Sequence, residues 1–423
     1  MTGLQSAQGW SSRRLKYVAT YNDEVLVEST DEEKEIDYLE ISGVSLTRGI
    51  EYIERLTFGE APSRARRKVR GGDILISTVR TYLKAIARID EPSRNLIAST
   101  GFCVVRPNDD VDSGYLGWVA KSEPFVSEVV ARSVGVSYPA INASELVTIE
   151  VPLPPLGTQR RIARFLDEKT ARIDALIDKK RELLDRLAEK RQALITRAVT
   201  KGLNPDAPMK SSGIEWLGDI PAHWQVKPLK YISPRISVGI VVTPAAYYSD
   251  EGVLAIRGLN VRPMGFDFSD SRTISEEGHK LHLKSQLHEG DLVAVRTGDP
   301  GTTSVITSDL EGTNCVDLVI IRRTAEASSR FLGWFLNGDA ARVQYAIGSE
   351  GALQLHFNVE TSKQVTVALP PQAEQTEIAD YIERCLQCEN DRAEKVEQTI
   401  GLLEEYRAAL ITSAVTGQLG DMQ

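Results

Sequence analysis

The chain has 423 residues, 42% hydrophobic and 26% charged, a globular composition that excludes wholesale disorder and leaves material for two or three domains. Its net charge of −9 argues, as a bulk figure, against a nucleic-acid partner, whose phosphates need clustered Lys and Arg. No apolar run reaches the length of a membrane helix, the opening lacks a signal-peptide core, and Cys103, Cys315, Cys385 and Cys388 are too few for a disulfide scaffold, so a cytoplasmic protein is expected.

Residues 1–157 read as a globular, strand-rich domain. Short runs such as Ile74-Leu75-Ile76 and Phe102-Cys103-Val104-Val105 lie between Gly, Asp, Asn and Pro clusters, with a helix near Tyr115 to Lys121. Arg64-Ala65-Arg66-Arg67-Lys68-Val69-Arg70 is the densest positive run of this domain, suited either to phosphate contact or to a solvated charged turn. Asp23 with Glu32-Glu33-Lys34 is the nearest approach to a metal-dependent nuclease pattern, and it lies in an acidic stretch that reads as solvated surface.

Residues 158–203 form a long helix, since Thr158 to Lys201 contains neither Pro nor Gly and Leu166, Ile173, Leu176, Leu183, Leu187 and Leu194 step by three, four or seven. The 43 residues from 158 to 200 would span about 65 Å at roughly 1.5 Å per residue. Residues 204–373 carry a linker and a second strand-rich domain, with Leu292-Val293-Ala294-Val295, Leu318-Val319-Ile320-Ile321 and a helix near Phe331 to Asn337. His279, His282 and His288 fall in one segment of it but lack the carboxylate or cysteine company of a metal site. Residues 374–423 hold the second long helix and tail, with a seam of Ile382, Cys385, Val396, Ile400, Leu403, Leu410 and Ala414; its lone Cys385-Leu386-Gln387-Cys388 reads as packing rather than zinc.

The second half repeats the first. At an offset of 216, RQALITRAVT (191–200) meets RAALITSAVT (407–416) with eight of ten identical. The same offset pairs Leu153, Pro154, Pro155, Gln159, Ile162 and Ala163 with Leu369, Pro370, Pro371, Gln375, Ile378 and Ala379, and Leu116-Gly117-Trp118 with Leu332-Gly333-Trp334. Asn142 meets Asn358, and at nearby offsets Leu15-Lys16-Tyr17 meets Leu229-Lys230-Tyr231 and Gly72-Asp73-Ile74 meets Gly290-Asp291-Leu292. The net charge is +6 over 158–201 and −6 over 374–416, so the two helices complement each other. The expected fold class is therefore α+β: two mixed, strand-rich domains separated by two long antiparallel coiled-coil helices, related by a pseudo-twofold, with the tail after Gly417 lying beside Trp10 and Leu15.

The linker from Met209 to Trp224 (Met-Lys-Ser-Ser-Gly-Ile-Glu-Trp-Leu-Gly-Asp-Ile-Pro-Ala-His-Trp), both Leu-Pro-Pro helix starts with their following Gln, and both Ala-Val-Thr helix ends resemble the DNA specificity subunit of type I restriction-modification systems. The resemblance covers essentially the whole chain. It implies two target-recognition domains, each reading one half of an asymmetric, bipartite double-stranded DNA site, on a chain with no catalysis of its own. It also implies two methyltransferase subunits that use S-adenosylmethionine and restriction/translocase subunits that use ATP and Mg, with no cofactor bound by this chain. Consistent with that, the sequence has no Asn-Pro-Pro-Tyr or Asp-Pro-Pro-Tyr methylase motif, no GxxxxGK[ST] loop and no GxGxxG opening a helix. The rival readings are a self-contained nuclease built on Asp23 and Glu32 to Lys34, and a coiled-coil scaffold that never meets DNA.

Base reading needs a few side chains on base edges, while Lys, Arg and hydroxyls grip phosphates. Matched loops of the two repeats supply them: Arg257 and Asn260 against Arg48; Arg296 and Thr297 against Arg80, Tyr82 and Lys84; and Gln354 and His356 against Ser137 and Tyr138. Arg64, Arg66, Arg67 and Lys68 are the further candidates. In each pair the loops differ while their flanks agree.

Overall fold

The computed structural model describes residues 10–347 and 357–419. They form two compact units, one of residues 10–181 with 397–419 and the other of residues 182–347 with 357–396. The division falls inside both long helices, Leu156–Lys201 and Gln372–Val415, because opposite ends of each helix enter different cores.

In the first unit a four-stranded antiparallel sheet runs Ala19–Tyr21, Phe102–Pro107, Ile74–Ser77, Ile86–Arg88. Its two central strands are buried on both faces, so the alternation of the pleat sorts their side chains between two cores. Ile74, Ile76, Cys103 and Val105 face a cluster that includes the helices Ser113–Lys121 and Glu123–Ala131, while Leu75, Phe102 and Val104 face a second cluster with Leu39, Ala87 and Ala98. Beyond that second cluster stands a mixed sheet, Glu54–Thr57, Glu35–Leu39, Leu96–Ser99, Ala65–Lys68, in which Leu96–Ser99 is parallel to Glu35–Leu39. Ser11–Arg14 pairs with Glu150–Leu153, which leads into the first long helix.

The second unit repeats this plan. Ile236–Val238, Leu318–Ile321, Leu292–Val295 and Thr303–Val305 form the antiparallel sheet, Val253–Ile256 pairs in parallel with Asn314–Cys315, and Gln225–Pro228 pairs with Thr366–Leu369 before the second long helix. The expected short helices are present at Ser113–Lys121 and Ser329–Asn337.

Two repeated motifs explain themselves as joints. Gly72 and Gly290 sit at φ +87° and +83°, a conformation that favours glycine, and turn the chain into the central strand. The aspartate that follows is buried: Asp73 accepts two 2.8 Å bonds from Arg106, and Asp291 accepts 2.5 Å and 3.1 Å bonds from Arg322 Nη1 and the Arg323 N–H. This carboxylate drives the Arg106 pKa up, against the cost of its burial. Gln159 and Gln375, each 1% exposed, lock the helix starts: Gln159 accepts from Asp112 N (2.8 Å) and donates to Pro154 O (2.8 Å), and Gln375 accepts from Ser328 N (2.7 Å) and donates to Pro370 O (2.9 Å).

The helix pairing is antiparallel within each unit. In the first, Ile173 and Ile177 share a core with Leu410, Ile411, Ala414 and Val415, and Arg407 donates to Asp174 at 2.8 Å while Arg181 reaches Glu404 at 3.1 Å. In the second, Ile195, Ala198 and Val199 share a core with Ile378, Ile382 and Leu386, and Lys190 donates to Glu389 at 2.9 Å. Arg181–Glu404 is an exposed pair of the kind that contributes about 0–1 kcal/mol, whereas Arg407 and Glu389 are buried and loss of their partners would strand a charge, so these pairs select the partner while the apolar ends hold it. The seam keeps two of its expected members, Leu166 and Ile173, and departs at two others: Leu176 and Leu183 are exposed at 42% and 40%, while Thr170 and Ile177 are buried in their place. Trp10 and Leu419 both pack against the core of the first unit, where the tail was expected.

Candidate nucleic-acid interface

In the first unit the structure brings five of the sequence candidates together. Arg80, Tyr82 and Lys84 lie on the loop that leaves the central strand Ile74–Ser77, and Ser137 and Tyr138 lie on the loop after helix Glu123–Ala131. The two loops are knitted by backbone pairing of Val79 with Ala140, by Ile141 N donating to Thr78 O at 2.9 Å, and by a 2.8 Å bond between the Thr81 and Ser133 hydroxyls, while Val134 pairs with Ala140 across the second loop itself. Arg80 and Lys84 are non-glycine residues in the left-handed region, at φ +49° and +52°, flanking a single 3-10 turn. Such a backbone costs about 1–3 kcal/mol per residue and persists where surrounding bonds fix it, often at functional sites. Arg80 lies over the Tyr138 ring, 4.9 Å from its centroid, and both are exposed. A cation on an aromatic face is a platform suited to a base edge or a phosphate.

The basic run Arg64 to Arg70 corrects one expectation: it is no solvated turn. Ala65–Lys68 is a strand at one end of the mixed sheet, with Arg66, Arg67 and Lys68 half-buried. Arg66 stacks on Phe58 at 4.7 Å, Arg64 donates to Tyr38 at 3.2 Å and pairs with Glu40, and Arg70 pairs with Glu24 at 2.5 Å. The phenol of Tyr38, more than any other neighbour, raises the Arg64 pKa. The run still adjoins the loops, because Arg64 O accepts from Thr100 N and the next residue, Gly101, accepts from Thr78 N, each at 2.8 Å. Arg48 lies elsewhere, in the turn between Val44–Ser45 and Gly49–Ile50, where it meets Asp178 at 3.4 Å beside a cavity of about 390 Å³ that Arg88, Trp118 and Lys121 also line. Burial first, then the Arg407 and Arg88 charges, lowers the Lys121 pKa to about 8.

In the second unit the candidates are more deeply engaged. Arg257, expected at the surface, keeps its side chain only 17% exposed and holds the Asp270 carbonyl (2.7 Å) and carboxylate (3.0 Å). Asn260 is fully buried, donates to the carbonyls of Asp267 and Asp270, and accepts from Arg257 N, so it shapes its loop from within. The reason is topological: this 3-10 turn sits at the end of Val253–Ile256, under the segment 267–270. Arg296 pairs with Asp317, itself left-handed at φ +52°. Thr297 is exposed on the same loop, which closes at Gly301 (φ +87°) where the Tyr345 ring leaves no room for a Cβ. Gln354 and His356 lie outside the described residues.

Sequence reasoning passed over the apolar members of the surface. Val79, Leu83, Val134 and Val136 are exposed on the knitted loops, and Val241, Val242 and Leu259 are exposed in the second unit. Their signal was available as Val and Leu inside turn-rich segments, where no core position claims them. The rival sites do not assemble. Asp23 accepts from Thr20 and pairs with Arg106, and the three histidines take separate partners: Asn314 for His279, the Tyr247 ring for His282 and Glu311 for His288. Among the described residues no group of three His, Cys, Asp or Glu is placed to hold a metal, and no helix is long and apolar enough to cross a membrane.

Residues 8–186 match the family model described as the type I restriction modification DNA specificity domain. The EcoKI specificity subunit of Escherichia coli K12 is 24% identical over 331 residues, covering 75% of this chain and 68% of the relative. The StySPI specificity subunit of Salmonella potsdam is 22% identical over 337 residues, with the same shares. Among solved structures, a chain from a study of complex assembly and conformational transition in a type I R-M system superposes with a TM-score of 0.78 at 22% identity, covering 98% of this chain and all of that one. The HsdS subunit of Thermoanaerobacter tengcongensis gives 0.53 at 22% identity, covering 98% of each. These two likenesses are of fold, and with the sequence matches they bear out the resemblance to type I specificity subunits.

Proposed function

We propose that this chain is the sequence-reading subunit of a type I restriction-modification complex, in which the loops 79–84 and 133–141 read one half of a bipartite duplex site and their second-repeat counterparts read the other. The observation that carries this is the division of labour between repeats. One scaffold is built twice on the same Gly-Asp turns and helix-start glutamines, while its exposed loops differ in sequence and in chemistry. A surface that must read two unlike half-sites needs that arrangement, and a mere scaffold does not. The acidic bulk charge is compatible with it because Glu40, Asp270 and Asp317 are each paired with an arginine, which offsets their charge locally.

On this reading the chain is not catalytic. Two methyltransferase subunits with S-adenosylmethionine dock on the helix-bearing scaffold, and restriction/translocase subunits supply the ATP- and Mg-dependent steps. The test is to map methylated adenines in DNA modified by the assembled complex, before and after residues 79–84 and 133–141 are replaced together by the loops of a relative. A bipartite motif in which only one half changes is the expected result. A contiguous motif, or a change in both halves, would overturn the proposal.

A further inference from the structure

We infer that Val136 is a specificity-determining residue for the first half-site, and that it reads the 5-methyl group of a thymine in the major groove. The inference rests on the sequence-reading function proposed above. Val136 stands fully exposed at the tip of the second knitted loop, with Val134 at 80% and Tyr138 at 66% exposure on either side. The tip is nevertheless held: Val134 and Ala140 exchange backbone bonds of 2.9 and 3.0 Å, and Gly135 turns at φ +120° where a Cβ would meet the Tyr138 carbonyl oxygen at 3.0 Å.

Val136 does not stand alone: Val134 and Val79, both exposed, are bridged through Ala140 at its base, and an exposed apolar group of this kind rimmed by polar ones marks a contact surface. The rim here is cationic. Arg80 stacks on Tyr138 beside the tip, and Lys84, which also meets Glu123 at 3.4 Å, closes the neighbouring turn, so Arg80 carries most of the rim's charge. The partner must therefore present a small apolar group within a negatively charged surface. Duplex DNA offers one such group, the thymine methyl, which projects only into the major groove and is flanked by phosphates. Wedging between base steps uses longer apolar side chains in the minor groove, and the short valine suits surface contact with a methyl instead.

The experiment uses the assembled methyltransferase complex and duplexes in which each thymine of the first half-site is replaced, one at a time, by deoxyuridine, which removes the methyl alone. Methylation kcat/KM is measured for the wild type and for Val136→Ala, whose altered side chain lies wholly in solvent and supports no packing. The expected result is a single position where deoxyuridine lowers the wild-type rate about fourfold, the worth of one buried methyl, and has no effect on Val136→Ala. Sensitivity at no position, or sensitivity that Val136→Ala retains, overturns the assignment. So does a Val136→Ala loss that is equal on all sequences or that follows subunit assembly, since either points to a phosphate-level or protein contact. A duplex with the first half-site scrambled runs alongside: if it is methylated as well as the cognate duplex, the sequence-reading function itself fails, whatever deoxyuridine does.

Discussion

Replacing Gln159 and Gln375 by Leu, one at a time, tests whether the repeated helix starts are joints of equal strength. Both amides are buried and each joins a backbone N–H of its domain to a carbonyl just before the helix: Asp112 N to Pro154 O in the first unit and Ser328 N to Pro370 O in the second, all at 2.7–2.9 Å. Leucine fills a similar volume and leaves one donor and one acceptor without partners. An orphaned buried polar group costs about 1–3 kcal/mol, so two cost about 2–6 kcal/mol, and the added apolar burial of the leucine returns up to roughly 2 kcal/mol of the upper figure; the net cost of about 2–4 kcal/mol is a large share of the roughly 5–15 kcal/mol that holds a typical domain together. Native-state hydrogen exchange of the full chain reads this unit by unit, through the amides of the central strands Ile74–Ser77 and Leu292–Val295. Exchange in the strand of the substituted unit should quicken about 30- to 700-fold. A change under threefold at either site, or costs at the two sites that differ by more than about 1.5 kcal/mol, would refute the idea that these glutamines are equivalent locks.

Four further outcomes are expected. Arg80→Ala should lower methylation through one half-site about 5- to 150-fold, with base preferences relaxed there if the guanidinium meets a base edge, or with the loss spread over all sequences and a salt slope reduced by about one if it meets a phosphate. Arg257→Ala should lower thermal stability by about 1–2 kcal/mol while leaving the preferred bases unchanged, because its guanidinium is engaged with Asp270; relaxed bases without lost stability would contradict this. Cysteine pairs at Arg181/Glu404 and Lys190/Glu389, now joined at 3.1 and 2.9 Å, should cross-link with a short reagent in the full chain, and failure of both would refute the antiparallel pairing. Lys121, with its pKa lowered to about 8 chiefly by burial, binds its proton less tightly folded than unfolded, so stability should rise between pH 8 and the ordinary lysine value; Lys121→Met should remove that slope and gain about 1–2 kcal/mol at pH 7 after screening is allowed for, and a wild-type-minus-mutant difference independent of pH would exclude it.

The parts of the fold legible in the sequence were those set by local pattern. The long helices, the central strands, the short helices at Ser113–Lys121 and Ser329–Asn337 and the duplication all followed from periodicity and self-similarity. The fate of the cations was not legible, because it depends on carboxylates and rings distant in sequence. Arg66 finds Phe58, Arg257 finds Asp270 and Arg296 finds Asp317 only once the sheets are assembled. A run of arginines therefore looks the same whether it faces phosphate or forms a half-buried strand, as Ala65–Lys68 does. The knitted loops were legible as polar candidates but not as a surface, since the pairing of Val79 with Ala140 is long-range and the valines that complete it carry no charge to draw notice.

Each unit is closed by pieces of both repeats, and this accounts for where the repeats agree. The first core takes Ile162 and Leu166 from the start of the first long helix and Ile411, Ala414 and Val415 from the end of the second; the second core takes Ile378 and Ile382 from the start of the second helix and Ile195, Ala198 and Val199 from the end of the first. The Leu-Ile-Thr ending of each copy thus meets the domain of the other copy at an equivalent place, and a change in one ending must suit a partner that it does not adjoin in sequence. That constraint is reciprocal, which explains why eight of ten residues agree there. The exposed residues of the loops, Val79, Arg80, Tyr82, Val134, Val136 and Tyr138, lie outside both cores and so can diverge without disturbing them. Exchange of a whole domain between relatives should then succeed where the incoming domain keeps its helix-start glutamine and a tyrosine like Tyr115, whose hydroxyl donates toward Pro152 O (3.0 Å) and Val415 O (3.3 Å) and so ties the domain to the far helix end.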